Sequence, residues 1–138
     1  TQLLMQEIAG IIAQAQQYPA LVPYAQQLQQ ALQILQQLTL QLLAKAQRDG
    51  AEVFLADATL YLELTGIILI GWQWLQQGVT VQQLTQQNNT AFSSTFMASK
   101  MHALVFYFEY ELPKTAALVT RLQSRNALTV QVAGEEIV

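Results

Sequence analysis

The stretch from residue 51 to residue 77 is apolar on nearly every side of a helix. Val53, Phe54, Leu55, Leu60, Tyr61, Leu62, Leu64, Ile67, Ile68, Leu69, Ile70, Trp72, Trp74 and Leu75 leave it no broad polar face. A helix of this kind must be covered all round. The fold therefore has to supply three neighbours, or two and a partner subunit. Asp49 and Glu52 give an Asp-x-x-Glu start signal for this helix, and Gly78 is its expected stop. Gly66 and Gly71 lie inside it, each at a cost of about 1 kcal/mol against alanine. Close approach by a packed neighbour is the expected reason to keep them.

The rest of the chain supplies the neighbours. Thr1 to Gln17 reads as a helix with Leu4, Ile8, Ile11, Ile12 and Ala15 on one face. Tyr18-Pro19 ends it, because the residue before a proline is pushed out of the α region. No lead-in precedes it, the pattern expected of a piece cut from a longer protein. A second helix is predicted over residues 23–48. Its seam is Leu28, Leu32, Leu35, Thr39, Leu42 and Ala46, and glutamines fill the other face. Lys45 and Arg48 suit the negative end of its dipole, and Gly50 is expected as a left-handed cap.

A polar linker over 79–90, with one helical turn at Val81 to Leu84, leads to a fourth helix from about Thr90. That helix carries Phe92, Phe96, Met97, Met101, Leu104, Val105, Phe108 and Leu112. Pro113 should kink it before Ala116 to Gln123 resume the pattern. Ala127 to Val132 alternate like a strand with no partner strand, so residues 124–138 are expected as an extended arm on the helices or on a neighbour. The predicted fold is all-α: an antiparallel up-and-down four-helix bundle with a short extended C-terminal tail, one domain over 1–138.

Composition excludes several functions. Only 11% of residues are charged against 52% hydrophobic, where an ordinary domain has about 25% charged. Glutamine supplies the missing polarity, interleaved with Leu and Ile at helical spacing. The net charge of −3 and the scattered basic residues offer no stripe to neutralise phosphates, which argues against nucleic-acid binding. The lack of cysteine rules out disulfides, thiolate catalysis and cysteine zinc sites, and it fits a reducing, cytoplasmic location. No signal peptide is visible. The most membrane-like stretch, Leu64 to Leu75, is shorter than the ~20 residues of a transmembrane helix, so a buried core helix is expected.

The residues that could carry chemistry are few. His102 is the only histidine, and one histidine cannot form a paired metal motif. As a general base it would need an orienting acid, yet Glu109 stands two helical turns away, so a surface or interface role is expected. Asp57 and Glu63 are six apart and point to different faces, a poor arrangement for paired carboxylates. Glu63 is expected as a buried carboxylate satisfied by Lys100, Lys114 or Arg121. Its functional alternative is a catalytic base, disfavoured because nothing nearby suggests a substrate pocket. Glu109, Glu111 and Lys114 read as a solvated charged turn. Gly66 and Gly71 have bulky neighbours, unlike a dinucleotide loop. Trp72, Trp74, Phe106, Tyr107, Phe108 and Tyr110 could stack on a flavin, but aromatics at helical spacing are expected as core or interface. No catalytic, cofactor-binding or metal-binding residue is assigned.

Two stretches nevertheless carry a resemblance. One is Ala56-Asp57-Ala58-Thr59-Leu60-Tyr61-Leu62-Glu63-Leu64-Thr65-Gly66, leading into Gly71-Trp72-Gln73-Trp74-Leu75. The other runs from Phe96 through Lys100, His102 and Phe106 to Tyr110-Glu111-Leu112-Pro113-Lys114. Their order and spacing resemble the extra C-terminal helical domain of a subset of bacterial acyl-CoA dehydrogenases, most strongly over residues 51–122. That resemblance implies a parent enzyme of fatty-acid metabolism that uses FAD to oxidise an acyl-CoA to the 2,3-enoyl-CoA. The glutamate base, the flavin site and the thioester site would belong to a core outside this chain. The domain itself would be non-catalytic, with the remainder of the dehydrogenase chain as its partner and homo-oligomeric assembly as its context. Two rivals remain: a free-standing interaction adaptor using the Gln-rich face, and a bundle holding a hydrophobic ligand in a pocket of several hundred cubic ångströms.

Overall fold

The computed structural model of the protein describes residues 2–124, which are all-α with no strand among them. α1 (Gln2–Ala15), α2 (Val22–Asp49) and α3 (Ala51–Gln86) are followed by α4 (Ser94–Phe106). The chain then passes through a π-helical turn (Tyr107–Glu111) and a 3-10 turn (Leu112–Lys114) into α5 (Thr115–Gln123). The tail expected over Ala127 to Val132 lies outside the described residues.

α3 is the hub. Its 36 residues span ~54 Å at about 1.5 Å per residue, and all four other helices pack on it. Residue pairs fix the directions. Along α2, Leu28 meets Gly71, Thr39 bonds Tyr61 and Lys45 meets Asp57, so α2 runs antiparallel to α3. Along the last arm, Leu104 meets Gly78, Tyr107 bonds Ile67 and Arg121 meets Asp57, again antiparallel. α1 is short and lies beside the later part of α3, where its Gly10 and Gln14 share a groove with Trp72 and Gln76. α1 packs on α2 and α3, α4 packs on α3, and a groove lined by both α1 and α4 runs over α3.

The core follows the predicted seams. Ile8, Ile12 and Ala15 are buried from α1, and Leu28, Leu32, Leu35, Leu38 and Leu42 from α2. Each fully buried Leu or Ile contributes about 1.5–3 kcal/mol relative to exposure. Thr39 sits in the seam because its hydroxyl bonds the Leu35 carbonyl and the Tyr61 hydroxyl.

Three expectations need correction. α3 does not stop at Gly78 but continues to Gln86, and the predicted linker shrinks to 87–93. Val79 and Val81 are buried, so the apolar pattern continues past the glycine. Asp49 and Glu52 make no capping box: the cap is Gly50, with no side-chain bond, while Asp49 pairs with Arg48. Gly50 has φ 96° and ψ 167°, outside the left-handed helical well, in a region open essentially to glycine alone. Within the described chain the cover of α3 is incomplete, with Leu55, Leu62 and Ile70 exposed on it, which leaves open the alternative of cover by a partner subunit.

The break near Pro113 has a cause. Proline donates no hydrogen bond and its ring crowds the carbonyl four residues back. The chain widens ahead of it, with the Leu112 N–H reaching the Tyr107 carbonyl across five residues. The wider turn lets Tyr107 and Phe108 both face the core.

One helical segment, Asp57–Gln86, is long and apolar enough to cross a membrane, with mean hydropathy 1.2, so the estimate from Leu64 to Leu75 alone was too short. Four other helices pack on it. Only 22% of its most apolar stretch is buried within the described chain, so the fully buried core helix expected there is not what these residues alone form.

Candidate functional site

Among the described residues, the one cluster of opposite charges drawn together from distant parts of the chain is at the start of α3. Asp57 is 2% exposed. Lys45 Nζ from α2 stands 3.7 Å from its Oδ2, and an Arg121 Nη atom from α5 stands 3.5 Å from its Oδ1. Lys45 is nearly buried and Arg121 about one-third exposed at the side chain, at 15% and 31%. Both separations exceed ordinary charge-assisted hydrogen bonds, and Asp57 Oδ2 has no hydrogen-bond partner. The cluster joins three helices by charge, an arrangement suited to fixing register more than to raising stability.

This overturns the expectation for Glu63, which is exposed. The buried carboxylate is Asp57, six residues earlier. Arg121 is the expected cation on a different acid, and Lys45 is a partner that sequence reasoning missed. The signal was available: a lysine near the end of α2's apolar seam needs an acid across from it. Lys114 pairs instead with Glu111 at 2.9 Å, forming the predicted charged turn. His102 and Glu109 are exposed.

The aromatic group divides. Tyr107 and Phe108 enter the core, with Phe108 packed on Tyr24 at a centroid separation of 5.4 Å. Phe106 and Tyr110 stack on each other at 4.7 Å on the outside. The Tyr107 hydroxyl donates to the Ile67 carbonyl. Burial, aided by the charge of Glu111, pushes its pKa up to about 12. Trp72 Nε1 is buried without an acceptor. Lys100 lies over the Trp74 and Phe96 rings, 5.9 and 5.5 Å from their centroids.

Several grooves reach the size a ligand-holding bundle requires. One of about 410 Å³ lies between α1, α3 and α4. Another of about 380 Å³, lined by Ile34, Leu64, Pro113 and Val119, lies between α2 and α5. No group of three or more His, Asp or Glu side chains suited to a metal occurs among the described residues.

Sequence comparison decides the family. A model described as acetyl-CoA dehydrogenase C-terminal like matches residues 4–133. The chain belongs to this family. No curated protein and no solved structure gives a significant match. In this C-terminal domain of acyl-CoA dehydrogenase-like proteins, some of the motif residues pack inside the chain while Leu62, Phe96, Phe106 and Tyr110 are exposed. Tyr61 bonds α2, and Gly71 leaves room for Leu28 and Tyr107, which a Cβ would meet at 3.3 and 3.5 Å. Gly66 is different: a Cβ there would meet nothing within 4 Å.

Proposed function

We propose that this domain serves assembly in an FAD-dependent acyl-CoA dehydrogenase, that it is non-catalytic, and that the parent enzyme oxidises an acyl-CoA to its 2,3-enoyl-CoA. The observation that carries the reading is the family match over nearly the whole chain. Of the conspicuous groups, Asp57 is taken up in joining three helices, and Tyr107 in bonding α3 to the last arm.

The chain's own residues do not fit FAD. A dinucleotide needs a glycine turn or a helix N-terminus free for its phosphates. Gly66, Gly71 and Gly78 lie within α3, and the α4 N-terminus is capped by Ser93, whose hydroxyl accepts from the Phe96 N–H. The α3 N-terminus at Gly50 has no side-chain cap, but Asp49 and Glu52 flank it with negative charge that repels a phosphate. The flavin therefore belongs to the remainder of the dehydrogenase chain.

The outer face of α3 is where that remainder packs. Leu55, Leu62, Gly66 and Ile70 follow one another at helical spacing, and the three large ones are 65%, 68% and 51% exposed. A mid-helix glycine with no neighbour costs about 1 kcal/mol and gains nothing within this chain. Close approach by a helix from outside would offset that cost. Homo-oligomeric assembly and a cytoplasmic location belong to the same reading.

The test is the reading frame that encodes the chain. A flavin-binding dehydrogenase core in frame ahead of residue 1 is the expected result. A start codon immediately ahead of Thr1 would overturn the proposal and leave a free-standing interaction bundle.

A further inference from the structure

Of the lysines and arginines among the described residues, four have a carboxylate within 4 Å: Lys45, Arg48, Lys114 and Arg121. Lys100 has none. It is half-buried, its ammonium lies over two aromatic rings, and the residue lines the groove between α1, α3 and α4. In a chain of net charge −3, an uncompensated cation at this depth is uncommon.

The rest of that groove is uncharged and rich in amides. Gln14, Gln73, Gln76, Gln77 and Gln83 line it, and none of their side chains makes a hydrogen bond within the described protein. A glutamine amide carries a donor pair and an acceptor, so it can pair with a peptide N–H and C=O together. At one end Phe92 and Phe96 stack at 5.3 Å, both about half exposed, and offer a flat apolar seat.

Shape selects the class of ligand. The groove is open along α3 from Gln73 to Leu84, about 16 Å at ~1.5 Å per residue. Small-molecule sites bury most of their ligand, which an open trough does not. An extended chain lies in such a trough with one side to solvent, and ~16 Å takes about five residues at roughly 3.3 Å each.

We infer that this groove binds an extended peptide segment carrying one carboxylate, with the acid on Lys100, the main chain on the glutamine amides and an apolar side chain on Phe92 and Phe96. The inference stands on the groove alone and does not depend on the dehydrogenase reading.

The experiment screens a bead-displayed library of random hexapeptides against the protein with Trp72→Phe, which leaves Trp74 beneath Lys100 as the reporter. Selected peptides should share an Asp, Glu or free C-terminus at one position. Synthetic versions should change Trp74 emission, and their affinity should fall about tenfold or more in Lys100→Gln, and likewise when the acid is replaced by its amide. Gln77→Ala should weaken binding independently, while Lys114→Gln should not. Selection without an acidic position, or equal binding to Lys100→Gln with an unchanged circular-dichroism melt, overturns the inference. So does a sedimenting dimer that Lys100→Gln dissolves, because the occupant would then be a second copy of the chain.

Discussion

Around Gly71 and Gly78, α3 is held by apolar side chains pressed against its backbone; around Asp57 it is held by charge. At Gly78 a Cβ would fall 2.6 Å from Leu104 Cδ1 and 3.0 Å from Leu21 Cδ2, both side chains fully buried. At the other end the nearest comparable device is one carboxylate between two cations, each 3.5 Å or more away. α1 lines grooves with the later part of α3, whereas the start of α3 has exposed Leu55 and Leu62. The later part of α3 is thus pressed closely by its own chain at two glycines, while its early part exposes Leu55 and Leu62, where the proposed dehydrogenase partner belongs.

The largest effect should come from emptying the packed end. Phe108→Ala removes a fully buried ring and should cost about 3–5 kcal/mol in urea denaturation. A cost below ~1 kcal/mol would mean that end is no better packed than the other.

The charged end should break in a different way. Lys45→Met with Arg121→Met leaves Asp57 buried and uncompensated, at a cost of about 3 kcal/mol, allowing for the partial exposure of Arg121. Adding Asp57→Leu should recover most of that loss, as apolar replacements of buried ion clusters do. Failure to recover would show that the charges do more than balance one another.

The glycines sharpen the contrast with opposite signs. Gly78→Ala should destabilise by about 1–2 kcal/mol, because overpacking against Leu104 and Leu21 outweighs the gain in helix propensity. Gly66→Ala should stabilise the isolated domain by about 0.5–1 kcal/mol, since nothing stands within 4 Å. Thermal melts of the two variants read both signs.

The last effect is a pH dependence that shows only above pH ~10, outside the ordinary working range. The Tyr107 pKa is raised to about 12 in the folded protein, against ~10 for a free tyrosine. Its contribution is therefore fully present below pH ~10 and lost as pH rises from ~10 through ~12. Tyr107→Phe should flatten that part of the stability profile.

The sequence made α2 legible because its polar and apolar faces separate: Leu28, Leu32, Leu35 and Leu42 were predicted and are buried. α3 was legible as a central helix but not in its orientation. With no polar face to set its rotation, Glu63 was expected to be buried, whereas Asp57 is the buried acid and Lys45 on a neighbouring helix marks it out. Gly78 misled because a glycine before two β-branched valines reads as a stop, whereas here it admits Leu104 and Leu21. Pro113 was legible as a kink. The π-helical turn ahead of it was not, since it depends on two adjacent rings finding room in the same core. Lys100 appeared as a possible partner for Glu63 and within one of the two family-like stretches, and its place in a groove required the packing of three helices.

The central claim is that this domain contributes assembly and no chemistry. The direct test is to purify the parent dehydrogenase with and without residues 1–138 and to measure bound flavin, acyl-CoA oxidation per flavin and sedimenting mass. The account predicts that the truncated enzyme keeps its flavin and its turnover per flavin but loses its assembled mass. An enzyme that loses flavin or turnover while keeping the same mass would contradict it, and would place residues of this chain in the active site.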